Sequence, residues 1–205
     1  QCHHMKQSYL HNTTDKSYLF DKQKIKSSFG YPVVVKPSNA GSSVGVSLVE
    51  TEKELEEAIK IAVAEDRRIL VEKKIEKREL ECAVLGNHES ASASVLGEVI
   101  TTEKMYDYNT KYIDSATRTE IPAKISDSIS DEIRALAVKA FLACDCTGLA
   151  RVDFFVEEGT DKIYLNEINT LPGFTPTSMY PQLFIKGGMT YGELLAKLIA
   201  AGLNK

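Results

Sequence analysis

The period of the apolar positions changes several times along the chain, and each change predicts an element. Tyr31-Pro32-Val33-Val34-Val35-Lys36-Pro37 is a β-branched run between prolines and predicts a short buried strand. Gly45 to Val49 predicts a second strand. Leu55, Ala58, Ile59, Ala62 and Val63 recur at helical spacing and predict an amphipathic helix ending near Asp66, with Thr51-x-x-Glu54 as its capping box. Arg68 to Lys73 predicts a strand with Ile69-Leu70-Val71 at its centre. Glu79 to Leu85 alternates, with Leu80, Cys82 and Val84 on one face, and Ser92 to Ile100 reads as its partner. Ile129, Ile133, Leu136, Ala137, Ala140 and Phe141 form the stripe of a helix from about Ser128 to Ala143. Leu149–Val156 and Lys162–Ile168 predict a hairpin closed by Glu157-Glu158-Gly159-Thr160-Asp161. A loop from Asn169 to Pro181 leads to a last helix, about Thr190 to Ala200. Residues 1–20 are polar and without a period, so they predict no element. Residues 101–120 are polar and tyrosine-rich, a length of loop that usually serves function. The mixture predicts an α+β fold.

Composition narrows the picture. The chain has 205 residues, a formal net charge of −4, 43% hydrophobic and 26% charged residues. These are ordinary globular values and oppose a disordered chain. The acidic balance gives no footprint for nucleic acid or anionic lipid, so neither is an expected partner. No apolar run reaches the roughly 18 residues of a membrane helix. Cys2, Cys82, Cys144 and Cys146 lack disulfide-scaffold and zinc-ribbon spacing. They read as reduced thiols, which predicts a cytoplasmic protein.

The 149–169 hairpin carries the strongest chemistry. Alternation puts Arg151 and Asp153 on one face, and Glu167 and Asn169 on one face of the returning strand. Hairpin arithmetic sets Asp153 roughly across from Glu167. Two carboxylates and an amide oxygen are hard donors that suit Mg²⁺. A surface ion-pair cluster is the competing reading. Gly41-Ser42-Ser43-Val44-Gly45 can present backbone N–H groups to an anion, with Lys36 supplying a cation. A plain turn competes there. Val71-Glu72-Lys73-Lys74-Ile75 with Glu79 offers an acid, a base and an apolar residue at a strand end. Tyr106-Asp107-Tyr108-x-x-Lys111-Tyr112 lies in the long polar loop.

Together these segments, with Gly148-Leu149-Ala150-Arg151-Val152-Asp153 and Asn166-Glu167-Ile168-Asn169-Thr170-Leu171-Pro172-Gly173-Phe174-Thr175, closely resemble the D-alanine–D-alanine ligase family of the ATP-grasp superfamily. The resemblance covers about residues 21–205. It implies an ATP-grasp fold with ATP sandwiched between two β-sheets. The implied divisions are a central subdomain at 21–77 and a C-terminal subdomain at 78–205, whose ω-loop is about 101–120. It implies ATP-dependent joining of two D-alanine molecules through a D-alanyl phosphate, for peptidoglycan synthesis, with Mg²⁺ or Mn²⁺. A D-alanine–D-serine or other carboxylate–amine ligase, and an Mg-ATP-binding fragment inactive alone, are the alternatives. By the same resemblance, Lys36, Ser42, Ser43 and Lys111 hold ATP phosphates, and Glu72, Lys73, Ile75 and Glu79 hold adenine and ribose. Asp153, Glu167 and Asn169 are metal ligands. Arg151 steadies the acyl-phosphate and tetrahedral intermediates, Ser42 and Tyr112 share a hydrogen-bond network, and Gly173 binds the oxyanion. Tyr108, Tyr112, Ser178 and Met179 face the amino-acid substrates, with Tyr112 and Met179 of the D-alanine type. A homodimer is usual in the family. The family also has an N-terminal domain that supplies a glutamate to the first D-alanine site, and no segment here resembles it.

Overall fold

A computed structural model describes residues 7–11, 22–41, 43–101 and 117–203. These form two structural units, one running up to Ile75, the other holding Glu76–Ile100 and the chain from Arg118 onward.

The first unit is a four-stranded sheet backed by helices. Its elements are β1 (Gln7–His11), α1 (Lys22–Phe29), β2 (Val33–Pro37), β3 (Ser47–Val49), α2 (Leu55–Glu65) and β4 (Arg68–Lys73). The strand order is β1-β4-β2-β3, and β4 runs antiparallel to both its neighbours. Alternation decides what the sheet buries. Val33, Val35, Val49, Ile69 and Val71 pack with Ile25 of α1 and Leu55, Ala58, Ile59 and Ala62 of α2. Val34, Lys36, Leu70 and Glu72 alternate onto the opposite face.

Two elements here differ from the sequence expectation. Gln7–His11 is an edge strand within the polar leader, held by pairing with β4 rather than by a pattern of its own. In α1 only Ile25 is buried, too little for a readable stripe. The turn before α2 also departs from a capping box. The Glu54 carboxylate accepts the Glu50 N–H and the Thr51 hydroxyl, both at 2.9 Å, so Thr51 does not reach a helix N–H.

The second unit is a five-stranded sheet, order β7-β6-β5-β8-β9, with helices on both faces. Its elements are β5 (Lys77–Gly86), β6 (Ser92–Thr101), β7 (Thr117–Glu120), α3 (Asp127–Ala143), β8 (Gly148–Glu157), β9 (Ile163–Asn169), α4 (Met179–Lys186) and α5 (Tyr191–Leu203). Leu80, Cys82, Val84, Ala150, Val152, Phe154 and Ile163 bury against Ile133, Ala137 and Phe141 of α3. Truncating a ring such as Phe141 in such a core costs about 3–5 kcal/mol. On the other face, Ala83 and Leu85 meet Tyr180, Leu183 and Phe184 of α4 and Leu194 of α5. A Cβ on Gly97 would lie 2.8 Å from Leu183 Cδ2 and 3.0 Å from Met179 Sδ, so glycine there is what lets α4 approach. Helix α4 replaces part of the expected 169–181 loop, and the expected 101–120 loop is shorter than read, since Thr101 ends β6 and Thr117–Glu120 pairs with it as β7. Pro181 lies in its first turn, where proline is tolerated because those N–H groups have no helical acceptor.

The Cys144-Asp145-Cys146 segment is the end of α3. Asp145 adopts φ 55°. Its N–H bonds Leu142 O at 3.0 Å and the Cys146 N–H bonds Phe141 O at 3.1 Å, a Schellman motif with Asp in the left-handed position. Among the described residues no helix is long and apolar enough to cross a membrane.

Candidate active site

A one-residue bulge creates the polar row of the second unit. Asp153 of β8 stands opposite Glu167 of β9, but the next residue, Phe154, stands opposite Leu165, leaving Asn166 as the extra residue. Ile163 and Ile168 both pack on the α3 side although five positions apart, an odd separation that an unbroken strand would put on opposite faces. The bulge reverses the alternation and sets Glu167 and Asn169 on the face away from α3. There Arg151 stands opposite Asn169, and Glu81 of β5 stands opposite Asp153. Glu81, Asp153 and Glu167 thus line up across three adjacent strands, with Arg151 and Asn169 one row along.

Charge in this row is tightly coupled. Arg151 Nε and Nη2 donate to Asp153 Oδ1 and Oδ2 at 2.8 and 2.7 Å, a bidentate fork. Glu81 Oε2 lies 3.1 Å from the same Nε, yet that N–H points at Asp153, so Oε2 is buried without a hydrogen bond. Burial, then the Asp153 charge, pushes the Glu81 carboxyl up to about 7, against a smaller opposing pull from Arg151. Burial opposes the Arg151 charge, but the Asp153 fork and the Glu81 and Glu167 charges outweigh it and raise its pKa further. Glu79, on the same face of β5, pairs with Lys77 at 2.8 Å.

The first unit carries its own charged pair. Glu72 stands opposite Val34, and Lys36 lies two residues along β2 on the same face. Lys36 Nζ is 2.9 Å from Glu72 Oε2, and Glu72 is only 3% exposed. The loop after β2 turns on two left-handed residues, Ser43 (φ 61°) and Gly45 (φ 74°). A Cβ on Gly45 would meet Glu65 Cγ at 2.9 Å and Pro37 at 3.3 Å, so glycine is required there twice over.

A sequence model described as "D-ala D-ala ligase C-terminus" matches residues 5–200. This chain belongs to the D-alanine–D-alanine ligase family. The D-alanine–D-alanine ligase of Acetivibrio thermocellus is 54% identical over 182 residues, 89% of this chain and 48% of the relative. That of Chloroherpeton thalassium is 50% identical over 175 residues, 85% of this chain and 48% of the relative. Among solved structures, the Coxiella burnetii D-alanine–D-alanine ligase superposes with a TM-score of 0.82 at 33% identity, covering 99% of this chain and 53% of that one. A D-Ala:D-Ser ligase from Enterococcus faecalis gives 0.85 at 31% identity, covering 98% and 57%. The chain therefore spans about half the length of the curated relatives it matches. These neighbours also bear out the ATP-grasp, α+β fold expected from the sequence.

For a member of this ligase family, the residues expected at the metal fit a hard cation. Asp153, Glu167 and Asn169 offer oxygen atoms only, from facing positions of two adjacent strands. Among the described residues, no three of His, Cys, Asp and Glu gather as a metal cage. Asn169 Oδ1 accepts the Leu171 N–H at 3.1 Å, which fixes the amide with a lone pair to spare. Gly173 and Ser178 come together: a Cβ on Gly173 would sit 2.9 Å from Ser178 Oγ, which accepts the Thr175 N–H at 2.9 Å. Met179 opens α4 and packs over Gly97. Lys73 is exposed at the end of β4 and Ile75 half-buried just beyond it. Ser42, Tyr108, Lys111 and Tyr112 lie outside the described residues. Glu81 is the residue sequence reasoning passed over. Its signal was present, two positions from Glu79 on the polar side of a strand whose other face is apolar.

Proposed function

We propose that this chain carries the ATP- and metal-binding part of a D-alanine–D-alanine ligase, which joins two D-alanine molecules at the expense of ATP for peptidoglycan precursor synthesis. The observation that supports it most is the row of Glu81, Asp153 and Glu167 facing Arg151 and Asn169, in a chain whose close relatives bear that name. Three carboxylates around one guanidinium leave an excess negative charge, which a divalent cation neutralises.

In this reading Asp153, Glu167 and Asn169 hold Mg²⁺ or Mn²⁺, which supplies charge neutralisation at the ATP phosphates. Lys36, Ser42, Ser43 and Lys111 bind phosphate oxygens, and Glu72, Lys73, Ile75 and Glu79 bind adenine and ribose. A carboxylate does not acylate an amine at neutral pH, so the D-alanine carboxylate takes the γ-phosphoryl group first. The amine of the second D-alanine attacks the acyl phosphate, and inorganic phosphate leaves. Phosphoryl transfer asks the protein for positioning and charge more than for covalent chemistry. Arg151 is suited to that, because Nε and Nη2 are fixed on Asp153, which holds the plane of a permanently charged guanidinium. Gly173 and the Ser178 hydroxyl serve the oxyanion and the second substrate's carboxylate, with Met179, Tyr108 and Tyr112 nearby in role. The segment that joins β6 to β7, residues 102–116, excludes water from the acyl phosphate. A cytoplasmic setting, resting on the free thiols of Cys82, Cys144 and Cys146, belongs to the same reading.

The test is ADP release from Mg-ATP, with and without D-alanine, with the dipeptide product quantified. D-alanine-dependent release with D-alanyl-D-alanine formed supports the reading. Turnover preferring D-serine as the amine moves it to the D-Ala:D-Ser type, and no response to D-alanine leaves this chain an ATP-binding part only.

A further inference from the structure

Arg151 touches two carboxylates, and the hydrogen-bond count is lopsided. Asp153 takes both N–H bonds of the fork, while Glu81 Oε2, 3.1 Å from Nε, takes none and is buried. A buried acceptor left unmade costs about 1–3 kcal/mol, so its retention needs a cause. The register supplies one. Glu81 and Asp153 flank Arg151 from neighbouring strands, and Asp153 is also the residue placed to give its oxygens to a cation.

We infer that Glu81 is a positioning residue, the alternate acceptor of the Arg151 Nε–H, which holds the guanidinium in place when the Asp153 carboxylate is engaged by a divalent cation. The inference rests on the metal role proposed for Asp153, but its core, a second acceptor for one N–H, is a property of this chain alone. A small rotation of the guanidinium passes Nε–H from Asp153 Oδ1 to Glu81 Oε2. The backbone does not move, because both carboxylates already lie within contact distance. Without Glu81, loss of the Asp153 fork would leave Arg151 with no anchor among these residues. Its long side chain would then gain rotamer freedom where a fixed donor is wanted.

The experiment follows the Arg151 Nε–H by ¹⁵N NMR, the signal being identified by its loss in Arg151→Lys. Its exchange with water is compared in wild type, Glu81→Leu, Asp153→Ala and the double variant, substitutions that leave no side-chain acceptor at either position. Each single variant keeps one carboxylate beside Nε, so the N–H is expected to stay protected in both. The double variant is expected to exchange at least about tenfold faster, the loss of one charge-assisted hydrogen bond. Rapid exchange in Asp153→Ala alone would overturn the inference, as would a double variant no faster than Asp153→Ala. If Asp153→Ala does not fold, the nearly isosteric Asp153→Leu makes the same comparison. A second arm adds Mg-ADP. Wild type should keep the N–H protected and Glu81→Leu should lose it. If neither spectrum responds to Mg-ADP, the metal assignment fails while the variant comparison still decides the role of Glu81.

Discussion

Asp153 and Glu167 face each other directly across β8 and β9, and β9 carries an extra residue just before Glu167. The bulge does chemical work that composition alone does not express. It keeps Ile163 and Ile168 on the α3 side while Glu167 and Asn169 face the other way.

Deleting Asn166 tests whether the extra residue does anything beyond setting this register. With it gone, Phe154 stays opposite Leu165 and Asp153 opposite Glu167 in a regular ladder, so Ile168 keeps its place on the α3 side and Glu167 and Asn169 keep theirs on the other. The deletion should therefore leave the unfolding midpoint close to that of wild type and retain Mg-ATP binding. Thermal unfolding and nucleotide titration would check both. Loss of nucleotide binding in a folded variant would contradict the view that the bulge serves only to set the facing of Glu167 and Asn169.

The Lys36–Glu72 pair makes a different prediction. Lys36→Met removes a counter-charge 2.9 Å from a carboxylate that is 3% exposed. Breaking such a pair should cost about 2–4 kcal/mol, and Glu72→Gln in the same chain should restore part of it, because a buried carboxylate that loses a cation carries most of the penalty. Denaturant unfolding of the single and double variants measures the coupling. Additive effects would mean the two side chains act independently.

Much of this was legible from the sequence, and the misses share a cause. β5 showed its alternation, β4 its apolar centre, α3 its stripe, and the hairpin loop its Gly159, so Asp153 could be set roughly across from Glu167 by counting. The bulge at Asn166 could not be seen, since no local residue type demands it. β1 exists through pairing with β4, a contact more than fifty residues away in sequence. Helix α4 hid behind Pro181, although Tyr180, Leu183 and Phe184 are its buried face. Glu81 was passed over because its importance is electrostatic, set by Arg151 and Asp153 on a neighbouring strand.

That electrostatic setting predicts a pH signature. A carboxyl lifted to about 7 in the folded state, from an ordinary value near 4.3, binds its proton more tightly folded than unfolded. Its ionisation therefore costs nothing below about pH 4, costs progressively more from there to about pH 7, and costs its full amount above that. Glu81→Gln removes this dependence. The variant's stability relative to wild type should rise as pH goes from 4 to 8. Denaturation curves across that range check the sign, and a constant difference would show that Glu81 does not titrate this way.

Gly173 gives a test confined to the second substrate. A methyl group there would press on Ser178 Oγ at 2.9 Å and disturb its bond to the Thr175 N–H. In an active ligase, Gly173→Ala should raise the KM for the amine substrate by about tenfold or lower kcat, with ATP affinity within about twofold of wild type. An equal loss of ATP affinity would remove the assignment of this loop to the amino-acid side.

The most direct test of the account is a calorimetric titration of the chain with ATP, in Mg²⁺ and in EDTA, with Glu167→Gln measured beside wild type. The row of Asp153, Glu167 and Asn169 predicts binding that depends on the metal and weakens by at least about tenfold in the variant, the loss of one charged metal ligand. Binding of equal strength in EDTA, or unchanged in Glu167→Gln, would contradict the metal site and the ligase reading built on it.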